Sequence, residues 1–204
     1  PCEWMAGPLK TNPLILRGPW KQGYALDFHT SSSRRLGDNE FGHPVFETIR
    51  TPLGEAVYKL KYSRDRSVIP AIAATVKGFL DTTDWQVDTI VAVPPSTARR
   101  AVQPVREIAD ALGKLTALPV CDACLAKRKA TPPLKDVFDR TERERLLSGA
   151  FLASPQLTKG KRLLLLDDLY RSGATAATAA RELLDGGKAA AVYFIAVTRT
   201  RRHG

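Results

Sequence analysis

Acidic residues, cysteines, histidines and long apolar runs are all scarce in this chain of 204 residues. No apolar run approaches the roughly 20 residues that a membrane-spanning helix needs. The opening stretch PCEWMAGPLK also lacks the charged and apolar regions of a secretory signal. A cytoplasmic protein with no membrane partner is the expectation, although a chain that begins at Pro1 gives its first residues little weight. The three cysteines, Cys2, Cys121 and Cys124, make an odd count with a single C-x-x-C pair. A zinc site needs about four ligands, and the histidines, His29, His43 and His203, are scattered. No zinc site is expected. Cys121 and Cys124 read as two small residues near a strand, with a redox or metal role as the alternative. Internal repeats and low-complexity segments are missing too.

The shortage of acid has the widest consequence. With 31 Lys+Arg against 21 Asp+Glu, the formal charge of +10 favours anionic partners, polyphosphates or nucleic acid among them. The excess gathers in KRKATPPLKDVFDRTERER and in the tail TRTRRHG, while Trp4, Trp20 and Trp85 lie elsewhere. A stacking platform for single strands needs aromatics interleaved with the charge, so nucleic acid ranks as a secondary partner.

What is present is an alternation of helical and strand-like segments in a length suited to one α/β unit. GYALDFHT (23–30) reads as a strand, and SSSRRLGDNEFGHP (31–44) as a loop. TPLGEAVYKLKYS (51–63) has a capping Thr51, Pro52 at the first helical position, and Leu53, Val57 and Leu60 at helical spacing. A second helix follows in SVIPAIAATVKGFLDT (67–82), where Ile69, Ile72, Ala73, Val76 and Leu80 share a face. Beyond it lie a short β-branched run, VDTIVAVPP, an amphipathic helix, QPVREIADALGKL, and a further strand candidate, LPVCDACLA. Two continuous apolar runs, KRLLLLDD and AAVYFIAVT, complete the series. Continuous runs separated by helices predict a mostly parallel sheet covered on both faces, and such sheets bind ligands beyond the carboxyl ends of their strands.

Two stretches fall at that edge, VPPSTARR and DDLYRSGAT. In the second, adjacent carboxylates Asp167 and Asp168 end an apolar run, and the chain then turns through Ser172 and Gly173 into an Ala-rich helix. Free N–H groups from Arg171 to Thr175 at a helix start can wrap a phosphate, and Ser172 and Thr175 add hydroxyl donors. Two neighbouring carboxylates suit the vicinal hydroxyls of a ribose, with Mg2+ nearby. Phosphate cradle and diol clamp together point to a ribose 5-phosphate. The bland alternative, a strand-end pair capping a helix, leaves two buried carboxylates without a purpose.

These residues resemble the signature of the type I phosphoribosyltransferases, which stands here as LLLLDDLYRSGAT (163–175), and within them the ComF or amidophosphoribosyltransferase-like branch. PLGEAVYKLKYSRDRSV (52–68), VAVPPSTARR (91–100) and KRKATPPLKDVFDRTERERLLSGAF (127–151) look like that branch too, in its order. The resemblance implies a type I phosphoribosyltransferase-like α/β fold, with residues 1–50 as an N-terminal extension or small variable hood and 51–204 as the enzyme domain. It implies that Asp167 and Asp168 hold the ribose hydroxyls of phosphoribosyl pyrophosphate (PRPP) and Mg2+. Arg171, Ser172, Gly173, Ala174 and Thr175 would hold its 5-phosphate, and Pro95, Ser96 and Thr97, with Arg99 and Arg100, its pyrophosphate. Lys127, Arg128, Lys129 and Lys135 would belong to a loop closing over the site, unless the segment, which also carries Asp136, Asp139, Glu142 and Glu144, is a solvated mixed-charge loop.

The implied reaction transfers phosphoribosyl to an unidentified nitrogen acceptor and releases pyrophosphate. The alternatives are a ComF-like accessory protein of DNA uptake that binds nucleotides or single strands, and a non-catalytic PRPP sensor. Dimers are common in the family, so a homodimer is compatible. The chain departs from the family in having Arg171 where purine-salvage members carry an acidic residue, which leaves the turn without a general base. It also has AVQP (101–104) after the pyrophosphate turn, and no four-cysteine module. Lys61 and Tyr62 read most simply as packing at a helix end.

Overall fold

The computed structural model describes residues 7–95, 103–128 and 146–201. A five-stranded sheet runs in the order β1-β2-β9-β8-β5, formed by β1 (Leu14–Ile15), β2 (Gln22–Phe28), β9 (Ala191–Arg199), β8 (Arg162–Tyr170) and β5 (Thr89–Ala92). The pairs β2–β9, β9–β8 and β8–β5 are parallel; only the two-residue β1 runs antiparallel, against β2. The continuous apolar runs are buried from both sides, as a parallel sheet requires. Leu163, Leu165 and Phe194 enter one core with Ala176, Ala179 and Leu183 of helix α5 (Ala174–Asp185). Leu164, Leu166 and Ile195 enter the other. There they meet Leu53 of α1 (Pro52–Tyr58), Ile72 of α2 (Ile69–Leu80), and Ile108 and Leu112 of α3 (Pro104–Thr116). The fold is therefore a mostly parallel α/β sheet with helices on both faces.

Local chemistry sets the helix starts. Thr51 Oγ1 accepts the Gly54 N–H at 3.0 Å and donates to the Phe28 carbonyl at 2.6 Å, so one hydroxyl both caps α1 and ties it to the end of β2. Past Tyr58 the helix widens into a π-helical turn, Lys59–Ser63, which ends at Arg64 in the left-handed region with φ of 56°. A 3-10 turn, Arg66–Val68, leads into α2.

Three features differ from the sequence expectation or sharpen it. The stretch 31–44, expected as loop, lies in a hairpin of β3 (Thr30–Asp38) and β4 (Pro44–Arg50) that forms its own two-stranded sheet. Leu36, Phe41, Val45 and Ile49 remain exposed on it. Among the described residues, every side chain from Ser31 to Ile49 is exposed, so burial imposes no apolar alternation on them. The hairpin is held by its ladder, by Arg34–Glu47 at 3.2 Å, and by Asn39 Oδ1 accepting the N–H groups of Phe41 and His43 in the turn. Second, LPVCDACLA is not one strand: Val120 makes an isolated parallel bridge to Ile90, and the last two residues of the stretch begin β6 (Leu125–Lys127), which pairs with β7 (Phe151–Ala153); a short helix, α4 (Pro155–Thr158), follows. Third, Cys121 and Cys124 are bonded to each other in a disulfide.

Candidate functional site

Because β2, β5, β8 and β9 are parallel, their carboxyl ends meet along one edge of the sheet. Asp167 and Asp168 lie there, directly after the buried leucines of β8. Their side chains alternate with the strand, so the pair divides between two environments. Asp168 is buried, and its carboxylate receives the Lys61 ammonium at 3.0 Å and 3.3 Å. Asp167 Oδ1 accepts the Asp168 N–H at 2.9 Å. Burial, and then the neighbouring Asp168 charge, push the Asp167 carboxyl up to about 7; the Asp168 N–H and Lys61 act in the opposite direction. The site thus holds one buried carboxylate matched by a lysine and a second, half-buried, whose proton affinity is raised.

Immediately after the pair, Tyr170 and Gly173 shape the turn. Gly173 caps α5 from the left-handed region, with φ of 81°, and a methyl group there would collide with the Tyr170 ring and hydroxyl. Gly173 has no side chain with which to cap the helix, and the Ala174 N–H donates a long bond, 3.4 Å, to the Ser172 hydroxyl. The first N–H groups of a 12-residue helix therefore face outward at its positive end. Arg171 and Ser172 are exposed, Gly173 and Thr175 are half-buried, and Ala174 packs into the core. These five residues follow the end of β8, the strand that carries the acidic pair.

The neighbouring exit, after β5, reaches the same level. Val93 N–H donates to the Leu166 carbonyl at 2.9 Å, and Pro95, two residues further on, is exposed. Ser96, Thr97, Arg99 and Arg100 lie outside the described residues, as do Lys129 and Lys135. Lys127 ends β6, where burial lowers its ammonium pKa, and the Arg128 N–H donates to the Ala150 carbonyl at 2.8 Å. These two residues thus begin the segment from the small β6–β7 sheet.

The sequence reading missed part of the site. Lys61 does more than cover apolar surface: it bridges to a carboxylate 107 residues away. His29, just past β2, sets Nδ1 3.1 Å from the hydroxyl of the fully buried Thr198, which donates to the Asp168 carbonyl at 3.2 Å. Burial first, then Arg50, Lys61 and Arg171, hold the imidazole below its ordinary pKa, with Asp168 opposing. Arg50 stacks 3.5 Å above the Tyr58 ring. The only sequence signal for these groups was their position after a strand or on the face of α1.

Among the described residues no cluster of three or more His, Cys, Asp or Glu gathers to hold a metal, and no helix is long and apolar enough to cross a membrane. Two carboxylates are nevertheless a suitable donor set for Mg2+, which takes one or two protein carboxylates and completes its shell with substrate oxygens. The strong proton affinity of Asp167 suits an oxygen ligand that a cation would complete.

No protein-family model and no curated protein matches the chain. Solved structures do. The glutamine PRPP amidotransferase of B. subtilis, complexed with ADP and GMP, is 19% identical over 77% of the chain, with a TM-score of 0.48. The adenine phosphoribosyltransferase of Saccharomyces cerevisiae is 15% identical over 82% of the chain and 83% of its own length, with a TM-score of 0.47. That of Trypanosoma brucei, in complex with AMP, pyrophosphate and ribose-5-phosphate, is 10% identical over 76% of the chain and 82% of its own, with a TM-score of 0.45. The chain spans 34% of the length of the amidotransferase.

Proposed function

We propose that the chain binds PRPP with Mg2+ and transfers its phosphoribosyl group to a nitrogen acceptor, releasing pyrophosphate. One observation carries this reading: an acidic pair near the carboxyl end of β8, whose second member is already balanced by Lys61, is followed within one turn of chain by a helix start that opens at Gly173 with no side chain on its N-cap residue. Asp167 and Asp168 accept from the ribose hydroxyls and, through their oxygens, hold the metal. Arg171 to Thr175 wrap the 5-phosphate, while Pro95 to Thr97, with Arg99 and Arg100, take the pyrophosphate. Bound magnesium would neutralise the departing pyrophosphate. The chain's own part is positional and electrostatic: it fixes the sugar by two turns on one rigid sheet edge and surrounds the donor with Lys61, Arg50 and Arg171. The β3–β4 hairpin within residues 1–50 is the candidate hood, and Lys127, Arg128, Lys129 and Lys135 belong to a closing loop.

Calorimetric titration with PRPP and MgCl2 tests the donor site. Binding should occur for the native chain and weaken at least about tenfold in Asp168→Asn, one charge-assisted hydrogen bond being worth that much. Affinity unchanged in both Asp167→Asn and Asp168→Asn would sink the reading. The net charge of +10 favours a second reading, a ComF-like accessory protein in which the same pocket serves nucleotides or single-stranded DNA without turnover. Tight, salt-sensitive strand binding with no pyrophosphate release would support that reading instead. PRPP binding without release under any acceptor would support a sensor.

A further inference from the structure

A nitrogen acceptor that carries a proton must lose it during transfer, and the turn Arg171 to Thr175 offers no group to take it. Asp168 is matched by Lys61, and on the proposed reading Asp167 is engaged by the sugar. A third candidate stands at the same edge. His29 follows β2, and its main chain is fixed on three sides. Its N–H donates to the Arg199 carbonyl at 2.7 Å, its carbonyl accepts from Thr51, and Gly54 packs so tightly on that carbonyl that any side chain there would collide.

The hydrogen bonds around the ring define its tautomer. A carbonyl oxygen only accepts, so the single hydroxyl hydrogen of Thr198 is committed to the Asp168 carbonyl. The contact between His29 and Thr198 must then be Nδ1–H donating to Oγ1. Nε2 is left with its lone pair, and it meets no hydrogen-bonding partner among the described residues. The charged groups around the ring come from four pieces of chain: Arg50 at the end of β4, Lys61 in the π-helical turn, Asp168 on β8 and Arg171 in the phosphate turn.

We propose that Nε2 of His29 is the general base that accepts the acceptor's proton, with Thr198 as the positioning residue that fixes the tautomer. This rests on the PRPP reading above. As the acceptor nitrogen's lone pair bonds to the anomeric carbon, the carbon–oxygen bond to pyrophosphate breaks and its electron pair leaves with the pyrophosphate. The proton released from the nitrogen passes to Nε2, and the imidazolium returns it to solvent. Burial, and after it the three cations nearby, favour the neutral ring over Asp168's opposing charge, and neutral is the form a base needs.

Two measurements test the assignment. Nitrogen-15 correlation spectra of the wild-type imidazoles, with His29 identified by its loss in His29→Asn, should show a ring protonated at Nδ1, although free neutral histidine favours the Nε2–H form. A ring protonated at Nε2 overturns the proposal. Pyrophosphate release from PRPP and MgCl2, with water as the acceptor probe, gives the second. Asn can keep the donor to Thr198 but has no basic nitrogen. His29→Asn should therefore retain PRPP affinity by calorimetry, lose about 100-fold or more in rate, and lose the acid limb of the wild-type pH profile. Equal rates and profiles in the two proteins overturn the role of His29 alone. Wild-type binding without release overturns it too, and no wild-type binding at all removes the donor-site reading along with it.

Discussion

At the scale of single residues, Asp167 and Lys61 make the sharpest predictions. The folded pKa of Asp167, about 7, lies above its ordinary value of 3.8. The native state therefore holds this proton more tightly than the unfolded chain does. That contribution is fully present below the ordinary value and is lost as pH rises through about 7. Asp167→Asn should accordingly stabilise the ligand-free protein at pH 8 by on the order of 2–4 kcal/mol and change little at pH 4, read as thermal unfolding at both values. Equal shifts at the two pH values would contradict the burial argument. Lys61→Met strands the Asp168 carboxylate. With the side chains 20% and 10% exposed, the loss should be roughly 2–3 kcal/mol in denaturant unfolding, somewhat less than for a fully enclosed pair. Adding Asp168→Asn to Lys61→Met should recover part of it. Neither effect is visible from sequence, because the partners are 107 residues apart and only the sheet order brings them together.

Between residues and the whole lie the elements, and here legibility divides cleanly. The helices α1, α2 and α3 and the strands β2, β5, β8 and β9 were readable because each buries a face, and burial writes its period into the sequence. The acidic pair and the turn at Gly173 stood out for a different reason: two carboxylates at the end of a leucine run serve no packing purpose. The hairpin β3–β4 was not readable, because its described side chains between Ser31 and Ile49 are exposed and exposure imposes no pattern. The glycines at the site are backbone requirements of elements. Gly173→Ala places a side chain in the left-handed region and against Tyr170, costing about 1–2 kcal/mol and abolishing PRPP affinity. Gly54→Ala drives α1 off the His29 carbonyl and should cost more, because backbone cannot step aside as a flexible side chain can; circular dichroism melts rank the two. The π-helical turn matters similarly. Deleting one of its residues would swing Lys61 about 100° around the helix axis and break the pair with Asp168.

On the scale of the molecule, the excess of positive charge should govern encounter with a polyanionic donor. The association rate of PRPP, measured by stopped flow, should fall roughly tenfold between 20 and 200 mM salt, while dissociation changes little; a salt-independent rate would argue against a focusing surface. The sheet order has a consequence of another kind. β2 finds its parallel neighbour only in β9, far along the chain; His29 and Thr198 are 169 residues apart. A nascent polypeptide still short of Ala191 leaves β2 with only the two-residue β1 along its side, and no Thr198 yet exists to orient the imidazole. The sheet edge is therefore a late product of synthesis, assembled once the closing strand has left the ribosome, and a polypeptide stalled before that strand would carry Asp167, Asp168 and the Gly173 turn without the strand that joins them to His29.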